Sequence, residues 1–81
     1  MNVQKAAREM RQIIKNCDPA FEPARSEDGK GVDHALWMLE GIIAGYIQHE
    51  KGHRWLGYAQ AICVVEEVGT LDDMKQTNVS A

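Results

Sequence analysis

The chain has 81 residues, a formal net charge of −3 and 44% hydrophobic residues. A single domain of that size buries only about 60% of its unfolded surface, which favours gaining core by self-association. Two cysteines are too few for a disulfide scaffold, no apolar run nears the roughly 20 residues of a membrane span, and the acidic balance argues against a general nucleic-acid binder. The N-terminal run carries Lys5, Arg8, Glu9, Arg11 and Lys15, so no signal peptide is expected there, and free thiols and a cytoplasmic setting are the expectation.

Val3, Ala6, Ala7, Met10, Ile13, Ile14 and Cys17 recur at helical spacing and predict a first helix over 3–16 with one apolar stripe. Asp18-Pro19 ends it, because the residue before a proline avoids the helical region. Residues 17–32 hold both prolines and the charged stretch Arg25–Lys30, which predicts a loop, mobile around 26–31 and pinned to the core by Phe21. Asp33 is the expected N-cap of a second helix over 33–48, whose wide apolar face includes Leu36, Leu39, Ile42, Ile43 and Ile47. A third helix is expected over 50–68, apolar nearly all round from Trp55, with Gly69 as its C-terminal stop. Thr70 then caps a short helix over 71–76 in which Leu71 and Met74 fold back on the core, and residues 77–81 are expected to fray.

The fold expected is therefore all-α: three helices, the second and third forming a central antiparallel hairpin, and a short C-terminal helix. Both central helices carry small residues at helical spacing, Gly41-x-x-x-Gly45 and Gly57-x-x-x-Ala61. A glycine inside a helix costs about 1 kcal/mol relative to alanine, so these predict close helix contact. In so short a chain the economical partner is a second copy, and a homodimer is expected with Gly41, Gly45, Trp37, Tyr46, Trp55 and Tyr58 at the contact.

His49-Glu50-Lys51-Gly52-His53 reads H-E-x-x-H, which on one helical face would bind zinc through the histidines and activate water with the glutamate. The pentad lies between two apolar runs and contains a glycine, so a helix–helix turn is the favoured reading, with His49 as a cap. A zinc-dependent hydrolase using His49 and His53 is the alternative; the candidates for its third ligand are Glu66, Glu67, Asp72 and Asp73, with His34 a further possible ligand. Cys63 paired with His34 or His53 for nucleophilic chemistry has no supporting motif. No cofactor is expected.

Charge is uneven: residues 1–16 carry +3, residues 17–30 carry −2, residues 31–50 carry −3 and residues 51–81 carry −1. The basic face of the first helix, Lys5, Arg8, Arg11 and Lys15, is a candidate partner-docking surface, and a nucleic-acid role for it is the second alternative.

The segments His34-Ala35-Leu36-Trp37-Met38-Leu39 and Glu50-Lys51-Gly52-His53-Arg54-Trp55-Leu56-Gly57-Tyr58-Ala59-Gln60 resemble small uncharacterised helical proteins encoded by lambdoid-type bacteriophages and prophages. The similarity spans about residues 33–76. In those relatives the position matching Gly52 is often alanine, and the one matching His49 is not regularly histidine, which dissolves the zinc signature. The resemblance implies a phage accessory protein of the bacterial cytoplasm and carries over no catalytic residue. The function expected is non-enzymatic: binding and modulation of a host or phage macromolecule.

Overall fold

The computed structural model describes residues 1–81 and is all-helical, with no strand. Its elements are α1 (Val3–Cys17), α2 (Val32–Ile43), α3 (His49–Val65) and α4 (Leu71–Ser80). No helix is long and apolar enough to cross a membrane.

The stripe of α1 is real, and its two alanines set the packing. Ala6, Ala7, Met10 and Ile14 are fully buried, and the small pair lets α1 lie close against α2 and α3. Leu36, Leu39 and Ile42 of α2 meet Leu56, Ala59 and Cys63 of α3 in the same core, which Phe21 from the loop also covers. Cys17, placed on the stripe by its spacing, is instead exposed, because the helix ends there and the chain turns away.

Helix ends are where periodicity misleads. α2 stops at Ile43, not at 48, because Gly45 adopts a left-handed backbone (φ 85°). Tyr46 N–H then donates to Gly41 O (3.0 Å) and Gly45 N–H to Ile42 O (3.1 Å), the two bonds of a Schellman cap. Gly45 is thus a helix terminator, not a face for another helix. α3 closes the same way three residues earlier than expected: Val68 N–H donates to Cys63 O and Glu67 N–H to Val64 O, with Glu67 left-handed (φ 60°). The terminator is Glu67, not Gly69. At its start, Gly31 occupies the N-cap position of α2 and Asp33 lies in the first turn, its carboxylate accepting from Glu22 N–H (3.1 Å). The second helix therefore begins one residue before the expected cap, since the Asp33 side chain is engaged by the loop instead.

The C-terminus does not fray. Thr70 and Asp73 form a reciprocal capping box, and α4 continues to Ser80. Thr77 is buried, Gln60 Nε2 donates to Asn78 Oδ1 (2.8 Å), and Asn2 N–H donates to Ala81 O (2.9 Å). Met74 reaches the core as expected, but Leu71 stays largely exposed, one turn away on the outer side. The two chain ends hold each other.

Glu67 is a β-carbon-bearing residue where glycine is favoured, so Glu67→Gly should raise stability by about 1 kcal/mol. Urea unfolding followed by circular dichroism measures it; an unchanged or lowered midpoint would show that the left-handed turn is not strained.

Candidate functional site

The 25–30 segment is tied down before it reaches α2. Ser26 Oγ lies 2.8 Å from Asp28 Oδ1, and Lys30 N–H points to both Ser26 Oγ (3.1 Å) and Asp28 Oδ1 (3.0 Å). These hydrogen bonds, the Ser26 hydroxyl first and the Lys30 amide second, hold the Asp28 carboxyl below its ordinary value of 3.8. Tyr58 OH donates to Gly29 O (2.7 Å), which fastens the loop to α3. The stretch expected to be mobile is thus anchored at both ends.

Anchoring the loop sets Arg25 and Ser26 over α2. Ser26 N–H donates to His34 Nδ1 (3.1 Å), and the Arg25 guanidinium sits 5.8 Å from the centre of the Trp37 ring. His34 and Trp37, three apart on α2, have ring centres 5.3 Å apart, and Trp37 meets Trp55 of α3 at 5.4 Å. Lys51, one turn before Trp55, lies 5.4 Å from that ring. A hollow of about 460 Å³ opens here, lined in part by Arg25, His34, Trp37, Arg54, Trp55 and Tyr58. A neighbouring hollow of about 340 Å³ joins Trp37 and Trp55 to Tyr46. The four expected aromatic contact residues therefore form one continuous surface, with Tyr46 86% exposed.

The two glycines of α2 are not part of an open face. A β-carbon on Gly41 would lie 3.3 Å from Ile47 and 3.7 Å from Trp55 of the same chain, and Gly45 is the cap already described. Their spacing is explained within one molecule. Gly57 is the contrary case: a β-carbon there meets nothing, next to exposed Ala61 and Val65.

No family model, curated protein or solved structure matches this chain. The geometry must carry the reading.

The zinc signature does not assemble. His49 has a left-handed backbone (φ 55°), departing from the regular helix on which an i, i+4 histidine pair depends, and both histidines are exposed. Nowhere do three His, Cys, Asp or Glu side chains come together as a ligand group, so Glu66, Glu67, Asp72 and Asp73 supply no third ligand. His49 is the first residue of α3 and not its cap; Gln48 takes that position. Gly52 is there for packing, since a β-carbon would lie 3.3 Å from Ile47 O and 3.5 Å from Val3.

The basic face of α1 is largely consumed inside the molecule. Lys5 Nζ donates to Ser80 O (2.8 Å), Arg11 pairs with Glu40 (3.2 Å), and Lys15 reaches the Phe21 carbonyl and lies 3.6 Å from Glu22. Of the four, only Arg8 makes neither a side-chain hydrogen bond nor an ion pair.

Sequence reasoning named Trp37, Trp55 and Tyr58 but missed Arg25, His34 and Arg54 as their companions. The i, i+3 and i, i+4 spacings of His34–Trp37, Lys51–Trp55 and Arg54–Tyr58 carried a signal for the helical members. Nothing local predicts Arg25, which arrives by the fold of the loop.

Burial pushes the Cys63 thiol up to about 12, whereas Cys17 is exposed. A thiol reagent at neutral pH should therefore modify Cys17 alone in the native protein, and Cys63 only after denaturation. Two thiols reacting at similar rates under native conditions would contradict this and reopen Cys63 as a nucleophile. The Asp28 carboxyl, depressed in the folded turn, supports that turn above pH 3.8 and loses its effect as pH falls through the lower folded value. The Lys30 amide resonance should accordingly titrate with a midpoint below 3.8; a midpoint at or above it would mean the carboxylate does not hold the turn.

Proposed function

We propose that this chain is a non-enzymatic binding protein that modulates a macromolecule through the aromatic surface of α2 and α3. One observation carries the reading: Trp37, Tyr46, Trp55 and Tyr58, all but one of the chain's aromatic residues, lie side by side at the surface. Buried aromatic and arginine anchors dominate protein interfaces, and this surface holds both kinds. The short 44–48 connection and the packing of α2 on α3 fit an antiparallel hairpin as the scaffold. The resemblance of the Glu50–Gln60 block to small phage and prophage proteins supports an accessory role in a bacterial cytoplasm.

We further infer a homodimer, with the second copy on the outer face of α3. Gly57, Ala61 and Val65 line that face beside Leu71 of α4, and Val65 is 77% exposed. The Gly57-x-x-x-Ala61 spacing favours close approach there, where Gly41 and Gly45 are already occupied.

Sedimentation velocity at tens of micromolar should report twice the chain mass, and Val65→Glu should return a monomer with unchanged circular dichroism. A monomeric wild type would remove the dimer. Affinity capture from bacterial lysate should retain a macromolecule that Tyr46→Asp releases, because Tyr46 is exposed enough to change without disturbing the core. Stoichiometric zinc in untagged protein, lost in His49→Ala, would instead show a metal site and reopen the hydrolase alternative.

A further inference from the structure

His34 is only 8% exposed, yet just one of its ring nitrogens has a partner. Nδ1 accepts the Ser26 N–H, which requires a lone pair on that nitrogen and places the ring proton on Nε2. The Nε2–H makes no hydrogen bond within the chain, and no fully buried side-chain polar atom is left unpartnered, so this donor is not sealed off, and His34 is one of the residues that line the hollow. Arg25 and Arg54 line the same hollow, and neither takes part in an ion pair. Arg25, with its guanidinium carbon 5.8 Å from the Trp37 ring centre, makes no side-chain hydrogen bond or ion pair, so its N–H groups are free for an oxyanion.

We propose that this hollow is a binding site for an acidic peptide segment, whose carboxylates are held by Arg25, Arg54 and the Nε2–H of His34. The inference rests on the reading of the chain as a binding protein and names the chemistry of its partner. Positive charge at the site comes from Arg25 and Arg54, with Lys51 at the far side of Trp55, and Glu27 is the acidic group on the rim. Asp28 is already engaged by Ser26 and Lys30. That mixture suits a peptide, which offers backbone N–H donors to Glu27 as well as carboxylates to the arginines. The phosphodiester backbone of a nucleic acid offers acceptors alone, and its charge would be repelled by Glu27. The strand would also need bare ring faces for its bases. Here Trp37 is flanked by His34, Arg25 and Trp55, while Trp55 is flanked by Trp37 and Lys51. The volume of about 460 Å³ admits a few side chains of an extended segment.

Both tryptophans of the chain border the hollow, so their intrinsic fluorescence reports occupancy directly. The probes are an acetylated, amidated Glu-Asp-Phe-Glu-Asp-Glu peptide, its Gln/Asn counterpart, inorganic phosphate and oligothymidylate. The acidic peptide should give a saturable change that weakens as salt is raised, and it should shift the His34 Nε2–H resonance. Arg54→Glu should weaken binding about tenfold or more, while Arg8→Glu, an exposed cation elsewhere, should leave it unchanged. Arg54 is exposed and unpaired, so its replacement leaves the fold intact, which circular dichroism checks. Equal binding of the amide counterpart, equal or tighter binding of phosphate or oligothymidylate, an Arg54→Glu variant that binds like wild type, or no saturable change at millimolar peptide would each overturn the site. If the peptide fails while Tyr46→Asp still releases a captured macromolecule, the anion site falls and the binding-protein reading stands.

Discussion

The missing side chain at Gly41 is the constraint on which the rest of this molecule leans. A β-carbon there would lie only 3.3 Å from Ile47 and 3.7 Å from Trp55, so the 44–48 turn and the middle of α3 both pack closely on α2 at that point. Gly52 repeats the device one step along, giving its space to the Ile47 carbonyl and to Val3 of α1. Each glycine costs about 1 kcal/mol of helix propensity, a loss offset by the close packing it permits. Because Trp55 is set down against Gly41, it lies within reach of Trp37, and the Arg25–His34–Trp37–Trp55 array follows from that placement.

A domain this small has little core to spare, and its polar groups make up part of the difference. The cations of α1 are spent on the far end of the chain, on α2 and on the loop, through Lys5 with Ser80, Arg11 with Glu40, and Lys15 with Phe21 and Glu22. Exposed ion pairs contribute only about 0–1 kcal/mol each, so their value here is in fixing where α4 and the loop lie. What reads along the chain as a basic recognition face is, in three of its four members, internal stitching. Arg25 and Arg54, among the cations without an ion pair, are the two that line one hollow together.

Helix character, order and the buried stripe of α1 were legible from spacing, because a 3.6-residue apolar period is what a helix with one buried face produces. The Thr70 cap was legible as well, since its Asp73 partner lies within the same turn. Helix ends were not. Gly45 and Glu67 terminate α2 and α3 by adopting left-handed backbone, and the apolar residues that follow, Tyr46 and Ile47 in one case and Val68 in the other, give no warning of it. The tail was misjudged for a related reason: Thr77 and Asn78 look like fraying residues until α1 and α3 are placed beside them.

The sequence by itself determined that this chain is helical, which faces are apolar, and that Trp37, Trp55 and Tyr58 belong to the second and third helices, because all of these depend on neighbours within a turn or two. Only the tertiary structure decided which polar groups were free. It used up Lys5, Arg11 and Lys15, pulled Gly41 and Gly45 into one molecule's own packing, and separated the histidine pentad from any third ligand. It also brought Arg25 across from the loop to Trp37, and set Ser26 against one nitrogen of His34 while leaving the other open. Those outcomes rest on contacts between residues far apart in the chain, whose geometry no local spacing encodes.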